Sequence, residues 1–328
     1  MVRSKLVQLL LVVTMAAGGL CLSGCNGNDN RFRQDRAFVA NHLTDNVSVI
    51  DIETNEVVAT IPVGTGPVGV AFDIVSRRVY VANFGSNDVS VIDADGGVEL
   101  RKIPVGRNPF GVTVSPEGTR VYVTNSHDNT VSVINAQTFQ VLRTIAVGLD
   151  PTGIVFEQST PSVLVSNTDS NDVSVIDIAR NIEVARVPVV NGPIGIAIAP
   201  PGVLAYVANA DSNLLSVIDT RALTIRETIV VGNRPIGLAF NPLGTRLYVA
   251  NETDNTLSVV SPARSEVLET VPVGQAPFGV AVDRFNTRVL VTNRLDNTVT
   301  SIDPDNNSIL ATIPVGEEPT GVAIGPTR

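Results

Sequence analysis

Seven copies of one cassette, held in a single register, constrain this 328-residue chain more than any other feature. An Asn closing a β-like run recurs at Asn41, Asn83, Asn125, Asn167, Asn209, Asn251 and Asn293, always 42 residues apart. A glycine in a Pro-x-Gly triplet follows each of them by 28 residues, at Gly69, Gly111, Gly153, Gly195, Gly237, Gly279 and Gly321. The cassettes fill residues 37–325, and self-similarity at such a period restricts the chain to arrays, solenoids or propellers.

Each cassette holds four short apolar runs, as in Phe38-Val39-Ala40-Asn41, Val47-Ser48-Val49-Ile50-Asp51, Val58-Ala59-Thr60-Ile61-Pro62-Val63 and Gly69-Val70-Ala71-Phe72. Val and Ile dominate them, and Asn, Asp, Gly or Pro punctuates every gap, so the runs read as strands with no room for a three-turn helix. Helical repeats of similar period are thereby excluded. An open solenoid needs atypical polar caps, yet the first and last cassettes match the middle ones, so the array is expected to close on itself. The prediction is an all-β, seven-bladed β-propeller of four-stranded antiparallel blades. The Pro-x-Gly run becomes strand a, innermost, where crowding about the axis favours the small Gly-x-Ala face. The Asn-ending run is b, the Val-Ser-Val-Ile-Asp run c, and the Thr-Ile-Pro-Val run the outer strand d. Because the chain enters on strand b and leaves on strand a, residues 320–325 are expected to complete the sheet begun by residues 37–63.

Residues 1–24 read as a secretory leader, with Arg3 and Lys5, an apolar run from Leu6 to Met15, and small residues ahead of Cys25. Leu22-Ser23-Gly24-Cys25 resembles a bacterial lipobox, which implies cleavage before Cys25 and acylation of its thiol. The mature form would then carry 21 basic and 32 acidic side chains, because the leader removes two of the 23 bases and no acid. Acyl chains hold a membrane without a spanning helix. Residues 25–36 are polar and read as a tether, leaving 37–328 to the propeller. The expected location is the cell envelope, attached by lipid on Cys25, and the outer membrane in a Gram-negative host, since Asn26 follows the cysteine.

A formal charge of −9 repels polyphosphate, so nucleic acid is not an expected partner. Histidine occurs only as His42 and His127, which follow strand b in different blades and read as rim residues rather than shared zinc ligands. No Cys-x-x-Cys-His or Gly-x-Ser-x-Gly motif is present, and no cofactor or metal is expected. The b-to-c loops repeat Asp and Asn, at Asp45-Asn46, Asp128-Asn129, Asp169 to Asp172, Asp211 to Asn213, Asp254-Asn255 and Asp296-Asn297. Oxygen-rich loops bind calcium, but repetition in every blade favours turn closure. The strand-b Asn is expected to satisfy backbone groups at the turn in the same way.

Function is expected where the cassettes differ. The loops before each Pro-x-Gly supply Arg107, Asn108, Asp150, Asn233, Arg234, Glu317 and Glu318, and the position after the strand-b Asn supplies His42, Phe84, Glu252 and Arg294. The d-to-a and b-to-c turns share one end of a blade, so these residues form one candidate binding face. Phe110 and Phe278 are expected to pack between blades in preference to forming an apolar lip.

Tyr122-Val123-Thr124-Asn125, with variants such as Tyr80-Val81-Ala82-Asn83 and Leu290-Val291-Thr292-Asn293 in the other cassettes, resembles the YVTN β-propeller family along the whole mature length. WD-repeat propellers match less well, since tryptophan is absent. The resemblance implies an exported or surface-attached protein, with adhesion, surface-layer and DNA-binding roles among its members. The reading drawn is a non-catalytic binding or scaffold protein that presents one loop face to a protein or other envelope ligand. Two alternatives remain: a lactonase-like or other hydrolase, which needs three or more His, Asp, Glu or Arg side chains converging at the channel mouth, and a DNA-binding propeller, which needs a contiguous surface of Arg107, Arg234 and Arg294.

Overall fold

The computed structural model describes residues 34–328; the leader and Cys25 lie outside the described residues. Twenty-eight strands form seven sheets of four, all antiparallel, and the described residues contain no helix. Blade one consists of strands Gln34–Asn41, Asn46–Asp51 and Glu56–Pro62 with the last strand of the chain, Pro319–Thr327, as its innermost member. Ala37 faces Ile324 and Val39 faces Val322 across this clasp. Strand a of every blade packs against strand a of the next, from blade one round to blade seven and back, which closes the ring.

The clasp is longer than the sequence suggests. Gln34 pairs with Thr327 and Arg36 with Gly325, so residues 34–36 of the expected tether belong to the ring, which starts before Ala37. Asp35, almost fully buried there, is held 2.9 Å from the Arg284 guanidinium of blade seven.

Strands b and c lie between neighbouring sheets, so both of their faces are buried. Valines therefore occur without strict alternation, as in Val89 to Ile92, instead of the in-and-out pattern of a one-sided sheet. Apolar clusters fill the seams between blades: Phe38, Val47 and Val49 of blade one meet Val79, Val81 and Ile92 of blade two. Tyr80, Tyr122, Tyr206 and Tyr248, all fully buried in strand b, project into such seams.

The Pro-x-Gly glycines have a sharper role than general crowding at the axis. A Cβ on Gly69 would stand 2.2 Å from the carbonyl oxygen of Phe110 in the next blade, and the same clash recurs at all seven positions, closing with Gly321 against Val68 at 2.3 Å. Only glycine lets adjacent inner strands approach this closely. The channel inside them is lined by these seven glycines and by Val70, Val112, Ile154, Ile196, Leu238, Val280 and Val322.

Candidate functional site

The d-to-a and b-to-c turns share one end of the ring, called here the upper face; the a-to-b and c-to-d turns, together with Gln34 and Thr327, occupy the lower face. The upper backbone is almost identical in every blade. Position four after the strand-b Asn (Asp45, Asn87, Asn129, Asn171, Asn213, Asn255, Asn297) is left-handed, with φ between 52° and 59°. Asn and Asp tolerate that conformation better than other side chains. Each also accepts, through Oδ1, the N–H of the residue before the next Pro-x-Gly, from Gly66 onto Asp45 at 2.8 Å to Glu318 onto Asn297 at 2.9 Å. The acidic and amide loops are thus turns that also fasten one blade to the next. Asp128, Asp254 and Asp296 likewise accept the N–H of Arg107, Asn233 and Gln275, each at 2.7 Å.

The strand-b Asn differs from its expected role. All seven are fully buried, and their Nδ2 atoms donate mainly to side chains of strand c, such as Asn83 to Asp88 at 2.6 Å and to Ser90 at 2.9 Å. In blade five, where Leu214 replaces the usual Asp, Asn or Thr, Asn209 turns to the Leu214 carbonyl instead. The side chain locks two strands together, a task that a buried amide performs because it must find partners.

On this fixed frame the variable residues sort into three groups. Arg234, Glu252, Arg294 and Glu318 form a chain of ion pairs across blades five, six, seven and one. Arg234 pairs with Glu252 and lies 3.8 Å from Asp211; Arg294 reaches Glu252 at 3.5 Å and Glu318 at 3.1 Å. Arg107 pairs with Asp128 at 2.6 Å, and two hydrogen bonds from Arg107 hold that carboxyl below its ordinary range. All three arginines of that candidate surface are therefore paired with neighbouring acids. Asn233 is occupied by Asp254 at 2.7 Å, and Glu317 is exposed with its carbonyl accepting the Leu43 N–H at 3.2 Å.

A second group closes the channel mouth. Phe110 and Phe278 come from blades three and seven, which are not neighbours, and their rings lie 6.3 Å apart, so they meet across the axis instead of packing within a seam. Around them His42, Val68, Phe84, Arg294 and Thr320 line a pocket of 190 Å³. Phe84 stands edge-on to His42 at 6.5 Å, and the Arg294 guanidinium lies 5.4 Å above the Phe278 ring. Val68 and Thr320 escaped the sequence reading, although they hold the same middle position of Pro-x-Gly as the two phenylalanines.

The third group surrounds a pocket of 370 Å³ between blades two and four, where Phe84, Asn108, His127, Leu149, Asp150 and Asp169 converge. Burial pushes the Asp150 carboxyl up from its ordinary value; the Asp169 charge adds to this and a bond from Ser126 partly opposes it. Asn108 is tied down by its Nδ2 bond to the Phe84 carbonyl at 3.2 Å. Among the described residues no group of three or more His, Cys, Asp or Glu is spaced to hold a metal ion.

A larger cavity of 620 Å³ opens at the lower end among Val155, Phe156, Ile198, Pro200, Leu238 and Phe240. Of its two amides, Gln158 and Asn241, the latter accepts the N–H groups of Thr245 and Arg246 within its own turn. No charged side chain lines it, whereas the upper pockets gather charged, aromatic and hydroxyl groups that discriminate between ligands.

No protein-family model and no curated protein matches this sequence. Solved structures do match its fold. The chain is similar to the hydrazine synthase of Kuenenia stuttgartiensis at 21% identity and a TM-score of 0.74, covering 81% of this chain and 91% of that one. It is also similar to a functionally unknown protein from Desulfotomaculum acetoxidans at 16% identity and a TM-score of 0.80, covering 89% of this chain and 99% of that one. At such identities the likeness extends to the fold and stops there, and it agrees with the seven-bladed β-propeller described above.

Proposed function

We propose that this protein is a lipid-anchored envelope propeller of the YVTN type whose upper face binds a protein or other envelope ligand. The observation that carries the reading is the contrast at that face between a backbone fixed by seven equivalent hydrogen bonds and side chains that differ from blade to blade. Rigid loops with variable tips suit recognition, because little ordering entropy remains to be lost on binding. The first strand starts at Gln34 on the lower face, at the opposite end of the ring from the proposed binding face.

The test is in-membrane crosslinking of the full chain against a variant carrying Phe84→Ala, Arg107→Ala, Arg294→Ala and Glu317→Ala. Loss of specific adducts in the variant supports the face, and identical adduct sets remove it. Retention of Cys25→Ala in the membrane fraction would remove the anchor.

A hydrolase is the second reading, favoured by Asp150, Asp169 and His127 around one pocket and by the raised Asp150 carboxyl. It requires turnover of a simple lactone or ester that falls at least tenfold in Asp150→Asn. Equal rates in the two forms dispose of it.

A further inference from the structure

The seams between blades carry a second repeating device at the lower end. The position five residues before the strand-b Asn is Arg36, Arg78, Arg120, Arg246 or Arg288 in five blades. Four of these guanidinium groups reach across the seam to the c-to-d turn of the next blade. Arg78 donates to the Ala136 carbonyl at 2.8 Å, Arg120 to Ile178 at 2.6 Å, Arg288 to Ile52 at 3.1 Å and Arg246 to Pro304. The same turn supplies a further contact three residues on: Arg78 lies 4.9 Å over the Phe139 ring, and Arg120 donates to Asn181 Oδ1 at 3.2 Å.

Blades four and five break the pattern with Ser162 and Leu204. Leu204 fills its place by packing into an apolar cluster. Ser162 does not. Between blades four and five a cleft of 430 Å³ remains, lined by Ser162, Asp177, Val184, Thr220, Arg221 and Leu223. Thr220 holds the position whose carbonyl accepts the guanidinium in the other seams, and Leu223 holds the position of Phe139 and Asn181. Thr220 is only 4% exposed, and its Oγ1 has no hydrogen-bond partner. Asp177 stands directly across the sheet from Ser162, as Asp93 does from Arg78.

We propose that this cleft is a recognition site for a guanidinium group, supplied by an arginine of a partner polypeptide or by a free guanidino compound. The planar cation would donate to the Thr220 carbonyl, Thr220 Oγ1 and Ser162 Oγ, with its face against Leu223 and its charge balanced by Asp177. The exposed Arg221 at the rim opposes any cation, so selection rests on the directed donors of a guanidinium more than on charge. The site lies away from the upper face and does not depend on the function proposed for that face.

The full chain is titrated with agmatine, with n-butylamine as an amine of similar reach, and with the tripeptide Gly-Arg-Gly, by calorimetry and thermal melting. Saturable millimolar binding of agmatine or the tripeptide, with no response to butylamine, is expected; the tighter of the two ligands identifies the source. Ser162→Arg supplies the group internally and is expected to melt higher than the parent and to lose the agmatine response. Asp177→Asn should weaken binding about tenfold and Arg221→Ala should strengthen it. If Ser162→Arg does not fold, these last two variants decide. Absence of saturable binding to the parent, an equal response to butylamine, or affinities unmoved by both Asp177→Asn and Arg221→Ala would overturn the proposal.

Discussion

The two ends of the ring are fastened by different means. At the upper end, seven Asp or Asn side chains cap backbone N–H groups of the next loop, and the backbone N–H of the residue after each strand-b Asn adds a second link, as from Phe84 to Gly66 at 2.9 Å. At the lower end, long arginines join four of the seams, and between blades four and five the Ser159 hydroxyl donates to the Gly202 carbonyl. The upper links recur in every blade at fixed Asp or Asn positions, which leaves the other outward side chains free to vary, so the upper face can acquire specificity without loosening the fold. The lower links differ from seam to seam, and beside Ser162 a cleft remains.

The change that should break both ends at once is removal of residues 319–328, the innermost strand of blade one. An exposed sheet edge replaces the clasp, and cooperative thermal melting is expected to disappear, as seen by circular dichroism. Next in size is Gly195→Ala, whose Cβ would fall 2.1 Å from the Ile236 carbonyl; a loss of about 3 kcal/mol in urea unfolding is expected. The comparison itself is decided by a pair of variants. Asn129→Ala loses the bond from the Asp150 N–H and places alanine at φ 55°, which should cost about 2 kcal/mol. Arg120→Ala removes a seam bolt on the same pair of blades, three and four, and should cost about 1 kcal/mol. A larger loss from Arg120→Ala would reverse the ranking of the two ends.

The smallest expected effect carries a sign that pH reveals. The Asp150 carboxyl is raised in the fold, so the folded state holds its proton more tightly than the unfolded chain does. The associated stability is present below the ordinary Asp value of 3.8 and is lost as pH rises through the folded value. Asp150→Asn removes the penalty and keeps a residue suited to φ 51°. It should stabilise the protein by a few tenths of a kcal/mol at neutral pH, and the advantage should vanish in acid. A gain that is the same at both pH values would mean that Asp150 titrates normally.

The ring was legible because its period is unbroken: Asn41 through Asn293 and Gly69 through Gly321 fix the blade count, the strand order and the clasp. The reasons behind single residues were less so. Crowding about the axis accounts for the Pro-x-Gly glycines only in part, since the contact that demands them runs sideways to the next carbonyl. Pairing of Arg294 with Glu252 and Glu318 was invisible, because those partners lie 42 and 24 residues away and meet only through loop conformation. The meeting of Phe110 and Phe278 is not legible in the sequence, because adjacency between blades three and seven exists only across the axis. The arginine register at the lower end was present in the sequence all along, and the breaks at Ser162 and Leu204 were the signal to follow.

The clasp also sets the timing of folding. A chain emerging from its amino end presents blade one as three strands with a bare inner edge, and the missing fourth follows only after the strands of the six other blades. Each later blade can form its own sheet as it appears, but the circle waits for residues 319–327, so until they emerge the growing protein carries an unpaired edge that a neighbouring nascent copy could capture.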